Sequence, residues 1–321
     1  MNYIYKHIEL NSIDTEFTPF SFSYGFNISE LVDSIQKVGL INPPILKKVK
    51  DGFVLVAGYK RILAVKELGW KKVWGLILSE DMPSFNCLLI NFYDNISTRK
   101  LNEVEKAILI SKLSNYIKPE QIIKDYFSLL DLPQHMPTYR FYIWIAKSLS
   151  NKVKDKLANG EISLKAIRIM YENEIPQEDI EIYADFMSKL KFNFNKQLQL
   201  IEYTQDICRK EKITLKQLFG EKEIVNIIES KTLTNPDKVK KILDIFRKRN
   251  FPELSRAEDI FKKRVQRLNL PAGVELKAPP YFESPYYRLE ISFRNGNELK
   301  KKLIEIANIE GIEIVGDPWK Q

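Results

Sequence analysis

Short apolar runs alternate with turn signals over the first hundred residues, and this alternation predicts a unit that mixes helices and strands. Asn27, followed three residues later by Glu30, is typical of a capping box. The apolar positions after it keep a helical period until Gly39, which is a common residue just past a helix end. The first predicted element with a clear period is therefore an amphipathic helix.

A hairpin is predicted directly after this helix. The apolar runs PPILKKV and FVLVA flank Asp51 and Gly52, and Asp-Gly between two such runs is a strong hairpin signal. A helix from about Tyr59 to Leu68, closed by Gly69, and a strand over VWGLIL follow. This order of elements is typical of an α/β unit.

The pattern is almost wholly helical from about residue 101 to 205, with breaks near Pro119, Pro133 and Pro137. Further along, Asn235 as a cap and Pro236 in the first turn predict another helix. The middle of the chain is thus expected to consist of packed helices.

The last stretch mixes both kinds of element again. Ser255 with Glu258 is typical of a second capping box, GVELKA and YRLEISF alternate as strands do, and Asn297 opens a final helix. The prediction is an α+β, multidomain chain. Its four parts are an α/β domain (1–98), a helical domain (99–205), a basic helical connector (206–254) and a small C-terminal α+β domain (255–321).

Composition narrows the class of protein. The 321 residues are 44% hydrophobic, which excludes collagen-like and mostly disordered chains. The net charge of +8 favours an acidic partner such as nucleic acid. Residues 209–267 hold 17 Lys or Arg and 9 Asp or Glu, so this stretch carries an excess equal to the whole net charge. Its basic face is either a solvated helix surface or a surface that contacts phosphates.

Cysteine and histidine are scarce. Cys87 and Cys208 are far apart in apolar stretches, and His7 and His135 are the only histidines, so no disulfide framework, cysteine zinc site or multi-histidine metal centre is expected. The start MNYIYKHIEL lacks the pattern of a secretory signal, and no apolar run is long enough to span a membrane. A cytoplasmic location without membrane contact is expected.

The sharpest local feature is the sequence Gly58, Tyr59, Lys60, Arg61, where a strand hands over to a helix. A glycine there lets backbone amides approach an anion, the helix N-terminus contributes its positive end, and the two basic side chains add charge. This combination indicates a phosphate cradle. The alternative is a purely structural turn with basic residues nearby.

A second feature is Asp94 next to Asn95. A carboxylate and an amide side by side provide the oxygen ligands that magnesium prefers, and they can also position a water molecule. The alternative is a solvated turn before a helix, because Asn102 with Glu105 reads as the capping box of the next helix.

Three strings in order, LVDSIQKVGLINPPILKKV, FVLVAGYKRILAVKELGW and DNISTRKLNEVEKA, resemble the ParB family of chromosome and plasmid partition proteins over roughly residues 1–110. The resemblance implies that 1–98 has the ParB/sulfiredoxin fold and binds CTP, or ATP in its place, together with Mg²⁺. It further implies a clamp that closes on DNA, slow CTPase activity, a nucleoid-associated location, a homodimer and a partition ATPase as partner.

The family's motifs fall on particular residues of this chain. The Gly-x-Arg-Arg turn maps onto residues 58–61, with Lys60 in place of an arginine, and the Glu-Asn pair maps onto Asp94 and Asn95. The resemblance therefore implies Asp94 as the catalytic residue, Asp94 and Asn95 as metal ligands, and a nucleotide-binding set. That set is Gly58, Tyr59, Lys60, Arg61, Asn95 and Arg99, the last lying one place beyond Thr98, where the family has an arginine.

The family also implies a helix-turn-helix within 99–205. Its second helix would be opened by Thr138, Tyr139 and Arg140, which are then the candidate DNA-binding residues. An ordinary helix start with an aromatic core face, from Phe141 onward, explains the same residues equally well. In the C-terminal domain, the alternating apolar positions from Leu289 would either pair two chains or pack on their own helices.

Two alternatives to a nucleotide-dependent DNA-binding protein stay open. One is a small-molecule kinase of the same superfamily that uses ATP or ADP on free serine, with Glu30 or Asp33 as the base. The other is a DNA-binding regulator that has kept the fold and lost nucleotide chemistry. Sulfiredoxin-like reductase activity is excluded, because Tyr59 stands where that chemistry needs a cysteine.

Overall fold

A computed structural model describes residues 3–15 and 19–316 of the chain. The chain divides into two compact units, residues 1–201 and residues 202–321. The outermost residues of the predicted N-terminal and C-terminal domains, 1–2 and 317–321, lie outside the described residues.

The first unit begins with a five-stranded mixed sheet. Its strands are β1 (Ile4–Glu9), β2 (Ile13–Asp14), β3 (Ile45–Val49), β4 (Gly52–Ala57) and β5 (Lys72–Leu78). They lie in the order β1-β5-β3-β4-β2, in which β3 pairs antiparallel with β4 and parallel with β5. The predicted hairpin and the strand after it are confirmed, whereas β1 and β2 are strands that the periodicity did not indicate.

Three helices accompany this sheet: α1 (Ser29–Val38), α2 (Tyr59–Glu67) and α3 (Ser84–Ile96). Ile35 of α1 and Ile62 of α2 pack with Leu46 of β3 and Leu55 of β4 in one buried core cluster. Helix α3 packs against β4, and its Leu88 is buried. Helix α2 starts directly after the end of β4. Because α3 packs against β4, the β4–α2 turn lies beside α3.

The rest of the first unit is helical, as the periodicity predicted. Its helices are α4 (Glu103–Leu113), α5 (Pro119–Tyr126), α6 (Met136–Ser148), α7 (Asn151–Ala158), α8 (Leu164–Glu172), α9 (Gln177–Leu190) and α10 (Phe194–Glu211), the last of which runs into the second unit. The expected break at Pro119 is the start of α5, and Pro137 occupies the first turn of α6. A proline is tolerated there because the first-turn amides have no partner inside the helix.

The described part of the second unit, up to residue 316, adds α-helices and a two-stranded sheet: α11 (Leu215–Phe219), α12 (Lys222–Glu229), α13 (Asn235–Asn250), α14 (Pro252–Arg267), β6 (Val274–Lys277), β7 (Arg288–Ile291) and α15 (Gly296–Ala307). Strands β6 and β7 pair antiparallel, and Leu276 faces Leu289 across the ladder. Both strands and the last helix agree with the predicted element types. Among the described residues, no helix combines the length and the apolar character that a membrane span requires.

Two predicted capping boxes are wrong. Helix α1 starts at Ser29, and Asn27 instead accepts hydrogen bonds from the backbone and hydroxyl of Ser29. Helix α14 starts at Pro252, so Ser255 lies inside it, buried. In both cases a polar side chain has the right spacing, but the backbone enters the helix at another residue.

Two other predicted helix starts are displaced slightly. The cap of α13 is Thr234, whose hydroxyl accepts from the backbone N–H of Asp237, so Asn235 is the first helical residue. The cap of α15 is Asn295, which accepts from the backbone N–H of Glu298. Neighbouring polar residues compete for the cap position, and the local backbone angles select among them.

Candidate nucleotide site

Gly58 forms the turn between β4 and α2 and has a left-handed backbone, with φ of 96°. A Cβ atom on this residue would lie 3.1 Å from the Cα of Pro44 and 3.1 Å from Nε of Arg61. Both the positive φ and the close approach therefore require glycine. The buried strand end at Ala57 and the helix start at Tyr59 follow from this turn.

Arg61 lies across this turn and is anchored at both ends of its guanidinium. Its Nη1 donates to the backbone carbonyls of Asn42 and Pro43, at 3.2 and 3.0 Å. Its Nη2 forms an ion pair with Oδ2 of Asp94 at 2.6 Å. The chain between α1 and β3, the β4–α2 turn and α3 therefore meet at this one side chain.

Lys60 stands on the first turn of α2 with its Nζ 4.6 Å from the centre of the Phe26 ring, which is a cation–π contact. The ring of Phe26 also touches Tyr59 edge-on. Burial, and then the positive charge of Arg99, lower the pKa of Lys60 below the usual value for lysine. The negative charge of a bound anion would offset both effects.

Asn91, Asn95 and Arg99 follow one another at intervals of four on α3 and just beyond it, so they share a face. The amide of Asn91, itself 4% exposed, donates to the carbonyl of Phe20 at 2.6 Å. The amide nitrogen of Asn95 donates to the side-chain oxygen of Asn91 at 2.8 Å, and Nε of Arg99 donates to Oδ1 of Asn95 at 3.0 Å. This row of hydrogen bonds fixes the orientation of the Asn95 amide.

The row ends on Glu105 in the first turn of α4, whose side chain is 1% exposed. Its carboxylate accepts two bonds from Arg99, at 2.6 and 2.8 Å, and one each from the backbone N–H groups of Tyr24 and Asn102. The side-chain oxygen of Asn102 in turn accepts from the backbone N–H of Glu105, so the predicted capping box is confirmed. Glu105 thus closes the cap of α4 and neutralises Arg99 at the same time.

These groups surround one cavity of about 330 Å³, which lies in the size range of small-molecule sites. It brings together residues that are more than thirty positions apart along the chain. All seven residues predicted for the nucleotide and metal site line it: Gly58, Tyr59, Lys60, Arg61, Asp94, Asn95 and Arg99. The remaining lining residues are Ser23, Leu31, Asn42, Asn91 and Thr98.

The sequence reasoning missed some of this site. Asn91 and Glu105 were not expected to position Asn95 and Arg99, although the four-residue spacing from Asn91 to Asn95 was a usable signal. Thr98, at the position where the ParB family has an arginine, uses its hydroxyl to donate to the carbonyls of Asp94 and Asn95. That hydroxyl therefore caps the end of α3.

The donor set fits a magnesium ion that is held mainly by a phosphate. Among the described residues, no cluster of three or more His, Cys, Asp or Glu side chains exists that could hold a metal by itself. One carboxylate, Asp94, and one amide oxygen, Asn95, border the cavity. Mg²⁺ is commonly bound by one or two carboxylates together with the phosphates of a substrate.

The predicted DNA-binding residues are not equally placed. Thr138 is fully buried, and its hydroxyl lies 2.9 Å from Nδ1 of His135, the residue that caps α6. Tyr139 is half-buried and Arg140 is exposed. Phe141 is buried and packs against neighbouring aromatic rings. The helix start therefore has the aromatic core face that the alternative interpretation described, and Arg140 is the member of the three that reaches the surface.

These observations define a small α/β domain that is suited to binding an anionic ligand. Its mixed β-sheet leads into a glycine turn with two basic side chains, and a carboxylate faces them. Comparison with known proteins shows what this domain is similar to. Residues 2–91 match the family model of the ParB N-terminal domain, which confirms the resemblance found in the sequence over this part of the chain.

The sequence matches to related proteins cover more of the chain than the family model does. Over 186 residues the chain is 26% identical to a protein of Chlamydia trachomatis named "Probable chromosome-partitioning protein ParB", a match covering 52% of this chain and 60% of that protein. A protein of the same name in Campylobacter jejuni is 26% identical over 235 residues, covering 69% and 80%. A truncated Caulobacter crescentus ParB, solved in complex with the centromeric parS site, matches 56% of this chain and 98% of its own with 15% identity and a TM-score of 0.31.

Proposed function

We propose that the chain is a nucleotide-dependent DNA-binding protein that acts in DNA partition, nucleoid organisation or the regulation of a mobile element. The observation that carries this proposal is the single cavity in which Lys60, Arg61, Asp94 and Asn95 meet around the Gly58 turn. The names of the relatives, which are chromosome-partitioning proteins, support the biological role.

In this proposal the ligand is CTP, with ATP as the alternative, bound with Mg²⁺. The amides of the β4–α2 turn and the side chains of Lys60 and Arg61 hold the phosphates, because a helix N-terminus next to a glycine turn favours an anion. Asp94 and Asn95 would hold the metal, and Asp94 would orient a water molecule if the nucleotide is slowly hydrolysed. The metal, when bound, would neutralise phosphate charge.

The DNA-binding part of the proposal concerns the helices after the sheet. Helices α5 and α6 pack together in the region where the family carries its helix-turn-helix, and Arg140 is exposed on α6. The basic stretch 209–267 offers further phosphate contacts from exposed lysines such as Lys240, Lys241 and Lys248. A partition ATPase remains the proposed protein partner.

A homodimer formed by the C-terminal domain is also proposed. Leu289 and Phe293 are 40% and 50% exposed, and Leu303 on α15 is 49% exposed, although all three are large apolar side chains. Large apolar side chains left exposed on one small domain favour a surface that another protein covers. A second copy of the same domain would cover them symmetrically.

The nucleotide proposal is tested by calorimetric titration of CTP, ATP, ADP and GTP with magnesium into the wild-type protein and Lys60→Met. We expect CTP to bind and the variant to bind about tenfold more weakly or worse, since a charge-assisted contact is lost. Lys37→Met, which removes an exposed lysine at the end of α1, should bind as the wild type does.

The outcomes separate the alternatives. Selective binding of ATP or ADP, with turnover of free serine in the absence of DNA, would replace the proposal with the kinase. Absence of binding by any nucleotide would leave the regulator that has lost nucleotide chemistry. No structural observation favours the kinase, because both candidate bases, Glu30 and Asp33, are exposed and neither borders the cavity.

A further inference from the structure

Two arginines that line the cavity each form an ion pair with a carboxylate, and the two pairs differ in burial. Arg99 pairs with Glu105, whose side chain is 1% exposed. Arg61 pairs with Asp94, with side chains 19% and 33% exposed. The closest nitrogen–oxygen distance is 2.6 Å in both pairs, so the difference between them lies in their surroundings.

The Arg99–Glu105 pair is built to stay together. Glu105 receives both arginine nitrogens and two backbone N–H groups, which occupy its acceptor positions. A ligand that drew Arg99 away would leave a buried carboxylate without its counter-charge, and such a step is strongly unfavourable. Arg99 therefore acts on the cavity through its bond to Asn95 and keeps its own charge compensated.

Separating Arg61 from Asp94 costs much less free energy than separating Arg99 from Glu105. Asp94 is accessible enough for water to solvate it once the pair separates. The guanidinium does not have to move, because Nη1 stays on the carbonyls of Asn42 and Pro43 while Nη2 alone changes its acceptor. An arginine fixed in this way is already oriented for a phosphate oxygen.

We propose that Asp94 holds Arg61 in reserve and that the cradle opens for a magnesium nucleotide by charge exchange: Nη2 of Arg61 would leave Asp94 for a phosphate oxygen, and the carboxylate of Asp94 would then serve as a ligand of the metal. This inference rests on the proposed nucleotide function and adds how the site is regulated. Each of the two partners released by the exchange receives a new counter-charge, so no charge is left uncompensated.

The exchange makes nucleotide and metal binding depend on each other. Without the metal, a phosphate group must displace a carboxylate that stays nearby and repels it. With the metal present, the same carboxylate becomes a ligand. Magnesium and nucleotide should therefore bind cooperatively, and the coupling passes through Asp94.

The test compares CTP binding in EDTA and in magnesium for the wild type, Asp94→Asn and Asp94→Ala. We expect both variants to bind CTP in EDTA at least about fivefold more tightly than the wild type, which is the lower end of typical coupling between sites. We also expect magnesium to increase their affinity much less than it increases that of the wild type. Using two variants guards against one that folds poorly, which thermal unfolding would reveal.

Asp51→Asn is the matched control. It removes the same charge at the β3–β4 turn, and Asn-Gly suits that turn as well as Asp-Gly does. Equal binding in EDTA by the wild type and both Asp94 variants, or an equal gain in Asp51→Asn, would overturn the charge exchange while leaving the nucleotide site intact. Failure of the wild type to bind any nucleotide with magnesium would overturn the proposed function and the exchange with it.

Discussion

At the scale of single residues, the three cations of the cavity differ in how their positive charge is compensated. Arg99 and Arg61 are both arginines at one cavity, yet the first is compensated by a buried carboxylate and the second by a partly exposed one. Lys60 lies over an aromatic ring with its charge partly desolvated. Of these three cations, Lys60 has the environment that a bound anion would improve most.

This environment leads to a prediction about stability and pH for Lys60→Met. Because the pKa of Lys60 is lowered in the folded protein, the unfolded chain binds more protons near that pKa, and the charged lysine destabilises the folded state at neutral pH. We expect the variant to be at least as stable as the wild type at pH 7. As the pH rises through the lowered pKa toward the ordinary value for lysine, the wild type should gain stability relative to the variant.

Urea unfolding at a series of pH values between 7 and the alkaline limit of stability would measure this difference. The affinity of the wild type for nucleotide should fall over the same pH range, since Lys60 loses its charge there. A variant that is clearly less stable than the wild type at pH 7 would show that the contact with Phe26 outweighs the desolvation of the charge.

At the scale of elements, the loop before α1 joins the sheet to the helices. Phe22 is buried, the backbone N–H of Tyr24 donates to Glu105, and the tyrosine hydroxyl donates to the carbonyl of Asn151 at the start of α7. Gly25 has a φ of 59°, and a Cβ there would come within 2.5 Å of the Cβ of Ala158 at the end of α7. This loop therefore connects the cavity to α7 by direct contact.

The contact predicts a specific pattern of stabilities. Gly25→Ala should destabilise the protein by about 2 to 4 kcal/mol, the sum of left-handed backbone strain and overpacking. Ala158→Gly removes the opposing methyl group and should lower stability by about 1 kcal/mol at most. The double variant should be less destabilised than the two single changes predict together, by about 1 kcal/mol or more, because the two sites share one contact.

Urea unfolding of the four proteins in this cycle, followed by circular dichroism, gives the coupling energy. Additive effects would mean that the loop moves away from α7 and that the close approach does not hold the two elements together.

At the scale of the whole molecule, exposed apolar residues are unevenly distributed. Several large ones lie between residues 281 and 312, on or near the β6–β7 sheet and α15. Strand β7 has its polar side chains on one face and Leu289 and Ile291 on the other, which is the alternation of a half-covered sheet. The coverage that its own domain provides is incomplete.

We therefore predict that the chain is a dimer in solution and that Leu289→Ser with Phe293→Ser makes it monomeric. Sedimentation velocity at micromolar concentration measures the change directly. Ile4→Ser is the control, since Ile4 on the edge strand β1 is 66% exposed and lies in the other unit, so its replacement should leave the dimer intact. A monomeric wild type, or a doubly substituted protein that stays dimeric, would contradict the proposed surface.

The local features of the cradle could be predicted because a few neighbouring residues decide them. The strand, the glycine turn and the basic first turn of α2 follow one another directly, and the capping box of Asn102 and Glu105 involves residues three positions apart. Short hydrogen-bond patterns of this kind leave a recognisable spacing. The displaced starts of α1 and α14 show the limit, because several polar residues near a helix start have acceptable spacing.

The sequence by itself determined most of the element types, the α/β start of the chain and seven of the residues that line the cavity. Only the tertiary structure decided which charge meets which. Arg61 pairs with Asp94 across 33 positions, Arg99 turns to Glu105, and Thr138 is buried. The physical reason is that an ion pair or a buried hydroxyl depends on how separate elements pack and exclude water, and this packing has no signature in the spacing of any one segment.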